Sequence, residues 1–199
     1  LRDVMNGLGI EYTEEIGEAA FYGPKLDVNV QPAVGNEITL STCQLDFCLP
    51  AKFNLSYIDR DGEKKTPVVL HRAILGSLDR FMAYILEETK GNLPTWLAPV
   101  QTRVMPVKTD DDSLNAYAKE ICDALKANKV RVDLDDRSEK LGYRMREGQL
   151  HKVPYLLVLG MNEKNERTVS YRLHGEQKTT TVKLDEFVEM IRDQIVNKK

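Results

Sequence analysis

From Lys25 to Val30 the chain reads KLDVNV. Leu26, Val28 and Val30 alternate with Lys25, Asp27 and Asn29, a period of two that predicts a half-buried strand. Gly and Asn in "AVGNE" (33–37) mark a turn, and "ITLSTCQLDF" (38–47) predicts a second strand with an irregularity. Ile38 and Leu40 share one face and Leu45 and Phe47 the other, while Thr42, Gln44 and Asp46 continue the first face as polar groups. A bulge accounts for this, and so does a strand whose polar end faces a cleft. "NLSYI" and "TPVVLH", joined through the turn pair Asp61-Gly62, predict a hairpin. From Ala73 the period becomes helical: Ile74, Leu78, Phe81 and Ile85 form one stripe, and Gly91 followed by Pro94 ends the helix.

"GNLPTWLAPVQ" reads as a linker, and the rhythm then changes. "VQTRVMPV" predicts a strand, "DDDSLNAYAKEICDALKANK" a helix with acidic or Ser caps, and "VRVDLD" a strand. "SEKLGYRMREGQLHK" predicts a helix with Ser138 as N-cap. "VPYLLVLG" predicts a central strand, "ERTVSYRLH" another, and "LDEFVEMIRDQIVNKK" a final helix with Ile191 and Ile195 inward. Strands alternating with helices imply a sheet at least partly parallel and covered by helices. The fold class expected is therefore α/β (α+β): an antiparallel sheet over residues 1–98, then a mixed-sheet α/β domain over 99–199.

Composition narrows the function classes. The chain has 199 residues, 42% hydrophobic and 30% charged, enough for two modest soluble domains. No apolar run approaches the ~20 residues a bilayer-spanning helix needs, so no membrane role is expected. The opening "LRDVMNGLGIEYTEE" has neither an initiator Met nor the apolar core of a signal peptide, and suggests a piece of a longer protein. Cys43, Cys48 and Cys122 form no CxxC pair, which suits a reducing, cytoplasmic setting. The net charge of −3 gives no global field for nucleic acid. Residues 137–152, however, hold five Lys/Arg against two acids, a local patch suited to a polyanion.

Candidate chemistry gathers in two places. His71 ends a β-branched run; on residues alone it fits a hydrogen-bonded structural histidine, since His151 and His174 lie far away and zinc needs three or four ligands. Ala73, Gly76, Ser77, Arg80 and Ala83 are spaced to share a helix side. There the Arg80 fork could take phosphate or carboxylate, or else pair with Asp79 or Glu87. Lys25 follows the Gly-Pro turn of "FYGPKLD" and could reach an anion or stay solvated. Thr42 and Gln44 are neutral polar groups in need of partners, whether substrate or protein. In the second half Lys140, Arg144 and Arg146 could contact phosphates and Tyr143 or Tyr171 could stack on bases, or the run is a solvated helix face.

Four blocks in order, "AFYGPKLDV", "STCQLDFCLP", "PVVLHRAILGSLDRF" and "PTWLAPVQ", resemble the C-terminal part of the threonyl-tRNA synthetases, a family of class II aminoacyl-tRNA synthetases. "HRAILGSLDRF" resembles the family's motif 3. The resemblance implies ATP-dependent threonine activation and transfer to tRNA(Thr), with ATP, Mg²⁺, zinc, threonine and tRNA as partners and a homodimer as the assembly. It implies that His71 is one of three zinc ligands, with the other two upstream. It implies that Arg80 lies against ATP as a catalytic group and that Lys25 takes part in the reaction steps. Tyr22, Thr42, Gln44 and Ser77 would line the substrate pocket. The stretch from Arg137 to Gly160 resembles the family's anticodon-binding domain, which implies that Ser138, Lys140, Arg146, Glu163 and Arg172 read or clamp the anticodon loop. Thr39 stands where many members have a glutamine that contacts ATP, and Ser138 where others have Asn. With motifs 1 and 2 absent, the chain alone is expected to be inactive. A non-catalytic RNA-binding regulatory paralogue is the alternative.

Overall fold

The computed structural model describes all residues from Leu1 to Lys199, in two compact units, Leu1–Glu88 and Thr89–Lys199.

The first unit runs α1 (Arg2–Leu8), β1 (Lys25–Val30), β2 (Ile38–Asp46), α2 (Cys48–Lys52), β3 (Tyr57–Ile58), β4 (Lys64–Lys65), β5 (Val69–Ala73) and α3 (Leu78–Glu88). The short helices α1 and α2 carried no periodic signal. β2 is the middle of a three-stranded sheet, antiparallel to β1 on one side and β5 on the other. Its irregularity is a bulge: Val28 pairs with Ser41 but Asn29 pairs with Thr39, which leaves Leu40 as the extra residue. Beyond the bulge the polar end also exists, because Thr42, Gln44 and Asp46 keep one face.

Two expectations are corrected here. The predicted hairpin of "NLSYI" with "TPVVLH" does not form. Tyr57–Ile58 pairs with Lys64–Lys65 instead, and Val69–Ala73 crosses to β2. Pro67, which lacks an N–H, separates the two segments and ends the local ladder. The helix also begins at Leu78 rather than Ala73. Ala73 is still in the ladder opposite Thr42, and Gly76 takes the left-handed conformation (φ 67°) at a point where a Cβ would sit 2.6 Å from the Leu40 carbonyl oxygen. Ser77 then opens α3, its Oγ accepting the Arg80 backbone N–H at 3.3 Å.

The second unit runs β6 (Thr102–Pro106), α4 (Asp112–Ala127), β7 (Val132–Leu134), α5 (Leu141–Leu150), β8 (Tyr155–Leu159), α6 (Met161–Glu166), β9 (Thr168–Leu173), β10 (Thr179–Lys183) and α7 (Leu184–Val196). The strand order is β10-β9-β8-β6-β7; β6 is parallel to β7 and β8, and β8-β9 and β9-β10 are antiparallel. α6 and β10 were missed: six and five residues, polar and Thr-rich, carry little pattern. Asp111 caps α4, accepting the Ser113 and Leu114 N–H groups at 3.0 and 3.1 Å. Ser138 does not cap α5; Lys140 holds that position, with no side-chain cap bond.

The core of this unit lies between the sheet and helices α4 and α7. Ile121, Leu125, Leu157, Leu159, Phe187 and Ile191 are fully buried in it, and Ile195 packs against it. On the other face α5 lies close to β8 because Gly148 has no side chain. A Cβ there would sit 2.6 Å from Leu156 Cδ2, and Leu156 is itself fully buried. Gly148→Ala is expected to destabilise the second unit by about 1–3 kcal/mol through overpacking, read as a lower urea midpoint with unchanged slope.

Candidate functional site

In an antiparallel sheet, residues directly opposite share a face. Lys25 lies opposite Gln44, and Gln44 opposite His71, so these three form one row across β1, β2 and β5. Asp27, Thr42 and Ala73 form the next row on the same face. Tyr22 Oη donates to Gln44 Oε1 at 2.9 Å, and its ring lies edge-on to His71 with centroids 6.1 Å apart. Arg80 Nη1 donates to the Thr39 carbonyl at 3.1 Å, not to Asp79 or Glu87. Thus Tyr22, Lys25, Thr42, Gln44, His71, Ser77 and Arg80, scattered over 59 positions of the chain (22 to 80), are arranged around β2. Thr39 Oγ1 is occupied by Asn29 Oδ1 at 2.8 Å. The Arg80 contact uses the backbone of Thr39, so it is indifferent to the side chain there.

Three residues that sequence reasoning did not single out support the arrangement. Asp27 takes Lys25 Nζ on one oxygen at 2.7 Å and Thr42 Oγ1 on the other at 2.6 Å. The bond to Asp27 holds the Lys25 ammonium above its ordinary pKa. Asp46 is fully buried and takes His71 Nε2 at 2.8 Å and the Cys48 and Leu49 N–H groups at 2.8 and 2.9 Å. Burial alone would raise its pKa; these three bonds outweigh it and keep the carboxyl below the usual range. Arg72 braces β2 through Ser41 Oγ at 2.9 Å and the Thr42 carbonyl at 3.0 Å. Two of the three are acids in plain period-two register with the polar face, which was the available signal.

Zinc is not fitted by residues 1–199 alone. His71 is the single member of the implied ligand set, its Nε2 is engaged by Asp46, and no three His, Cys, Asp or Glu side chains gather to hold a metal ion. A zinc site needs three or four protein ligands.

The second cluster lies in the other unit, where α5, α6 and the strands β8, β9 and β10 meet. Arg146, Glu163 and Arg172 line one cleft of about 590 Å³, together with Met145, Gln149 and Ser170. Glu163 is held at the start of α6: Oε2 accepts the Gly160 N–H at 2.8 Å and Oε1 accepts Ser170 Oγ at 2.7 Å. Arg172 Nη2 reaches Thr179 Oγ1 at 3.3 Å, while its buried Nε has no protein partner. Ser138 and Lys140 do not line the cleft; both are exposed on the segment between β7 and α5.

Two expectations for this unit change. Arg144 cannot meet phosphates, because it is completely buried. Tyr171 is not free to stack on bases; it packs in the core with Tyr155 and Phe187 at ring distances of 5.6 and 5.4 Å. Tyr143 stays exposed. Gln149, which lines the cleft and accepts the Gly175 N–H at 2.9 Å, was overlooked.

Arg137 ties Asp135 and Glu147 together, and its hydrogen bonds hold both carboxyls below their ordinary values of 3.8 and 4.5. A depressed carboxylate pKa means the unfolded chain takes up protons first as pH falls. The stabilisation by this triad is therefore full above the ordinary range and lost as pH drops through the lower native values. Urea midpoints between pH 7 and pH 3 should fall less steeply in Asp135→Asn than in the unaltered chain.

Residues 1–89 match the family described as tRNA synthetase class II core domain (G, H, P, S and T), and residues 101–194 match the anticodon binding domain. Over 199 residues the chain is 51% identical to the threonine–tRNA ligase of Staphylococcus saprophyticus, and over 202 it is 50% identical to that of Oceanobacillus iheyensis. Each alignment takes in 100% of this chain and 30% of the relative, so the chain spans about a third of their length. Among solved structures, the RNA binding domain of threonyl-tRNA synthetase from Cryptosporidium parvum superposes with a TM-score of 0.85 at 34% identity, covering 96% of this chain and 48% of that one. A prolyl-tRNA synthetase from the same organism shares the fold at 19% identity and a TM-score of 0.71, over 93% of this chain and 43% of the other. With the core and anticodon-binding matches side by side and half of its residues identical to threonine–tRNA ligases, the chain belongs to the class II tRNA synthetases of the threonine–tRNA ligase family.

Proposed function

We propose that this chain works within a threonine–tRNA ligase, with residues 1–98 forming part of the activation site and residues 99–199 reading the anticodon of tRNA(Thr). The observation that carries the reading is the cleft that Arg146 from α5, Glu163 from α6 and Arg172 from β9 line together. Two guanidinium forks and one fixed carboxylate offer donors and an acceptor to the edge of an unstacked base, the mode by which single-stranded RNA loops are recognised. Ser138 and Lys140 would meet the loop from the segment after β7.

In the activation half, a threonine carboxylate oxygen attacks the α-phosphorus of ATP, a P–O bond forms, and the bond to the β-phosphate breaks to release pyrophosphate. Arg80 would stabilise the charge that builds on the α-phosphate, and Lys25 would exchange Asp27 for a phosphate oxygen. Tyr22, Thr42, Gln44 and Ser77 would position the substrates. ATP and Mg²⁺ belong to this reading, as do a cytoplasmic location and a homodimer. Zinc enters only through His71, the one ligand position within the chain. Because a single ligand does not build the site, residues 1–199 by themselves are expected to form no threonyl-adenylate.

The test is a titration of the chain with a tRNA(Thr) anticodon stem-loop and with a copy whose anticodon bases are exchanged, at two salt concentrations. Preference for the first RNA that survives moderate salt supports anticodon reading. Equal binding that vanishes with salt leaves only a basic patch and overturns it. Adenylate formation by the chain at the rate of a complete enzyme would overturn the assignment of only part of the activation site.

A further inference from the structure

Arg144 is 0% exposed and spends its donors on three backbone carbonyls, one at the end of β6 and two on the segment that joins β7 to α5. Nη2 donates to the Pro106 carbonyl at the end of β6 at 2.8 Å, Nη1 to Asp135 just past β7 at 2.7 Å, and Nε to Glu139 ahead of α5 at 3.1 Å. A buried guanidinium is tolerated only when its donors are satisfied, and its rigid plane spreads them over three nitrogens, each here directed at a different carbonyl. None of its direct partners is a carboxylate; the Asp135 carboxylate is taken from outside by Arg137, through two bonds of 2.8 Å.

The segment 135–140 is therefore clasped from both sides. It has no helix or strand of its own, yet it carries two exposed side chains, Ser138 between the Asp135 and Glu139 anchors and Lys140 just ahead of α5. Inside, Arg144 fixes the two ends of the turn to the end of β6. Outside, Arg137 links Asp135 to Glu147 on α5, and its own carbonyl accepts the Glu139 N–H at 2.7 Å. A loop without regular structure presents side chains to a ligand reproducibly only if such supports hold it.

We infer that Arg144 is a positioning residue for anticodon discrimination, setting the 135–140 segment so that Ser138 and Lys140 meet the RNA in register. This rests on the anticodon reading above. Arg144 touches no RNA itself, so its loss should act on selectivity rather than on the salt-dependent, sequence-independent part of binding.

The experiment compares the unaltered chain, Arg144→Lys and Arg137→Gln, each titrated with the tRNA(Thr) anticodon stem-loop and with the base-exchanged copy. Amide hydrogen exchange over residues 136–140 is followed in the free proteins. Arg144→Lys keeps the charge but not the fork. Arg137→Gln frees only the outer clasp, so it remains informative if the interior change prevents folding. The expected result is faster exchange in 136–140 and a cognate-to-exchanged affinity ratio that falls about 5- to 150-fold, as for loss of one specific base contact. Binding of the exchanged RNA should stay within about twofold, since the phosphate contacts persist. A purely structural role would lower the folded fraction and weaken both RNAs alike, leaving the ratio unchanged; that result overturns the inference. So does unchanged exchange in 136–140. If the unaltered chain itself prefers neither RNA, the anticodon reading fails first and the inference falls with it, an outcome visible before any substitution is made.

Discussion

Arg80→Ala, placed in a full-length threonine–tRNA ligase that carries this segment, is expected to slow threonyl-adenylate formation by about 10²- to 10³-fold, the usual cost of removing one donor aimed at developing charge. The structure shows why the loss should be kinetic rather than structural. Arg80 is exposed and spends a single bond, Nη1 to the Thr39 carbonyl, on the protein. That bond aims the fork while leaving its other donors for a ligand. No buried partner is orphaned when it is removed, so the melting temperature should hardly move. Arg80→Lys should recover only part of the rate, because an ammonium lacks the planar pair of donors. Pyrophosphate exchange measures the effect; a rate within about threefold of the unaltered enzyme would remove Arg80 from the chemistry.

The largest expected effect on stability is Phe187→Ala, at about 3–5 kcal/mol for the second unit. Phe187 is fully buried on α7, and its ring meets Tyr155 edge-on at 5.5 Å and Tyr171 at 5.4 Å. Deleting it removes apolar burial, leaves a cavity between helix and sheet, and breaks two aromatic contacts, each worth about 0.5–1.5 kcal/mol beyond area. For a unit of this size the loss lowers Tm by roughly 10 °C or more. Thermal unfolding followed by near-ultraviolet circular dichroism reports the tyrosines directly. A cost below about 1 kcal/mol would mean that the neighbours collapse into the space.

Most of the architecture was legible in the chain. Period-two alternation marked β1, a continuous apolar run marked β8 as central, and the 3.6-residue stripe placed Ile191 and Ile195 inward on α7. These signals are local: a strand or helix with one buried face writes its period into its own residues. Element ends and short polar elements were not legible, because α6, β10 and the turn at Gly76 depend on contacts that no short window contains.

Motif by motif, the chain also displayed the candidate site: His71, Arg80, Lys25 and the basic run from Arg137 to Lys152 stand out by residue type and spacing. What the sequence by itself determined was which side chains were available and which elements carried them. Only the tertiary structure decided their company. It paired β5 with β2 instead of β3, and so set His71 opposite Gln44 and onto the buried Asp46. It also turned Arg144 inward to the carbonyls of Pro106, Asp135 and Glu139, while Arg146 faced the cleft with Glu163 and Arg172. The physical reason is that strand pairing and burial of a charge are settled by partners distant in sequence. Two arginines two residues apart on one helix are alike in the chain and become different only when one of them finds three carbonyls to bind.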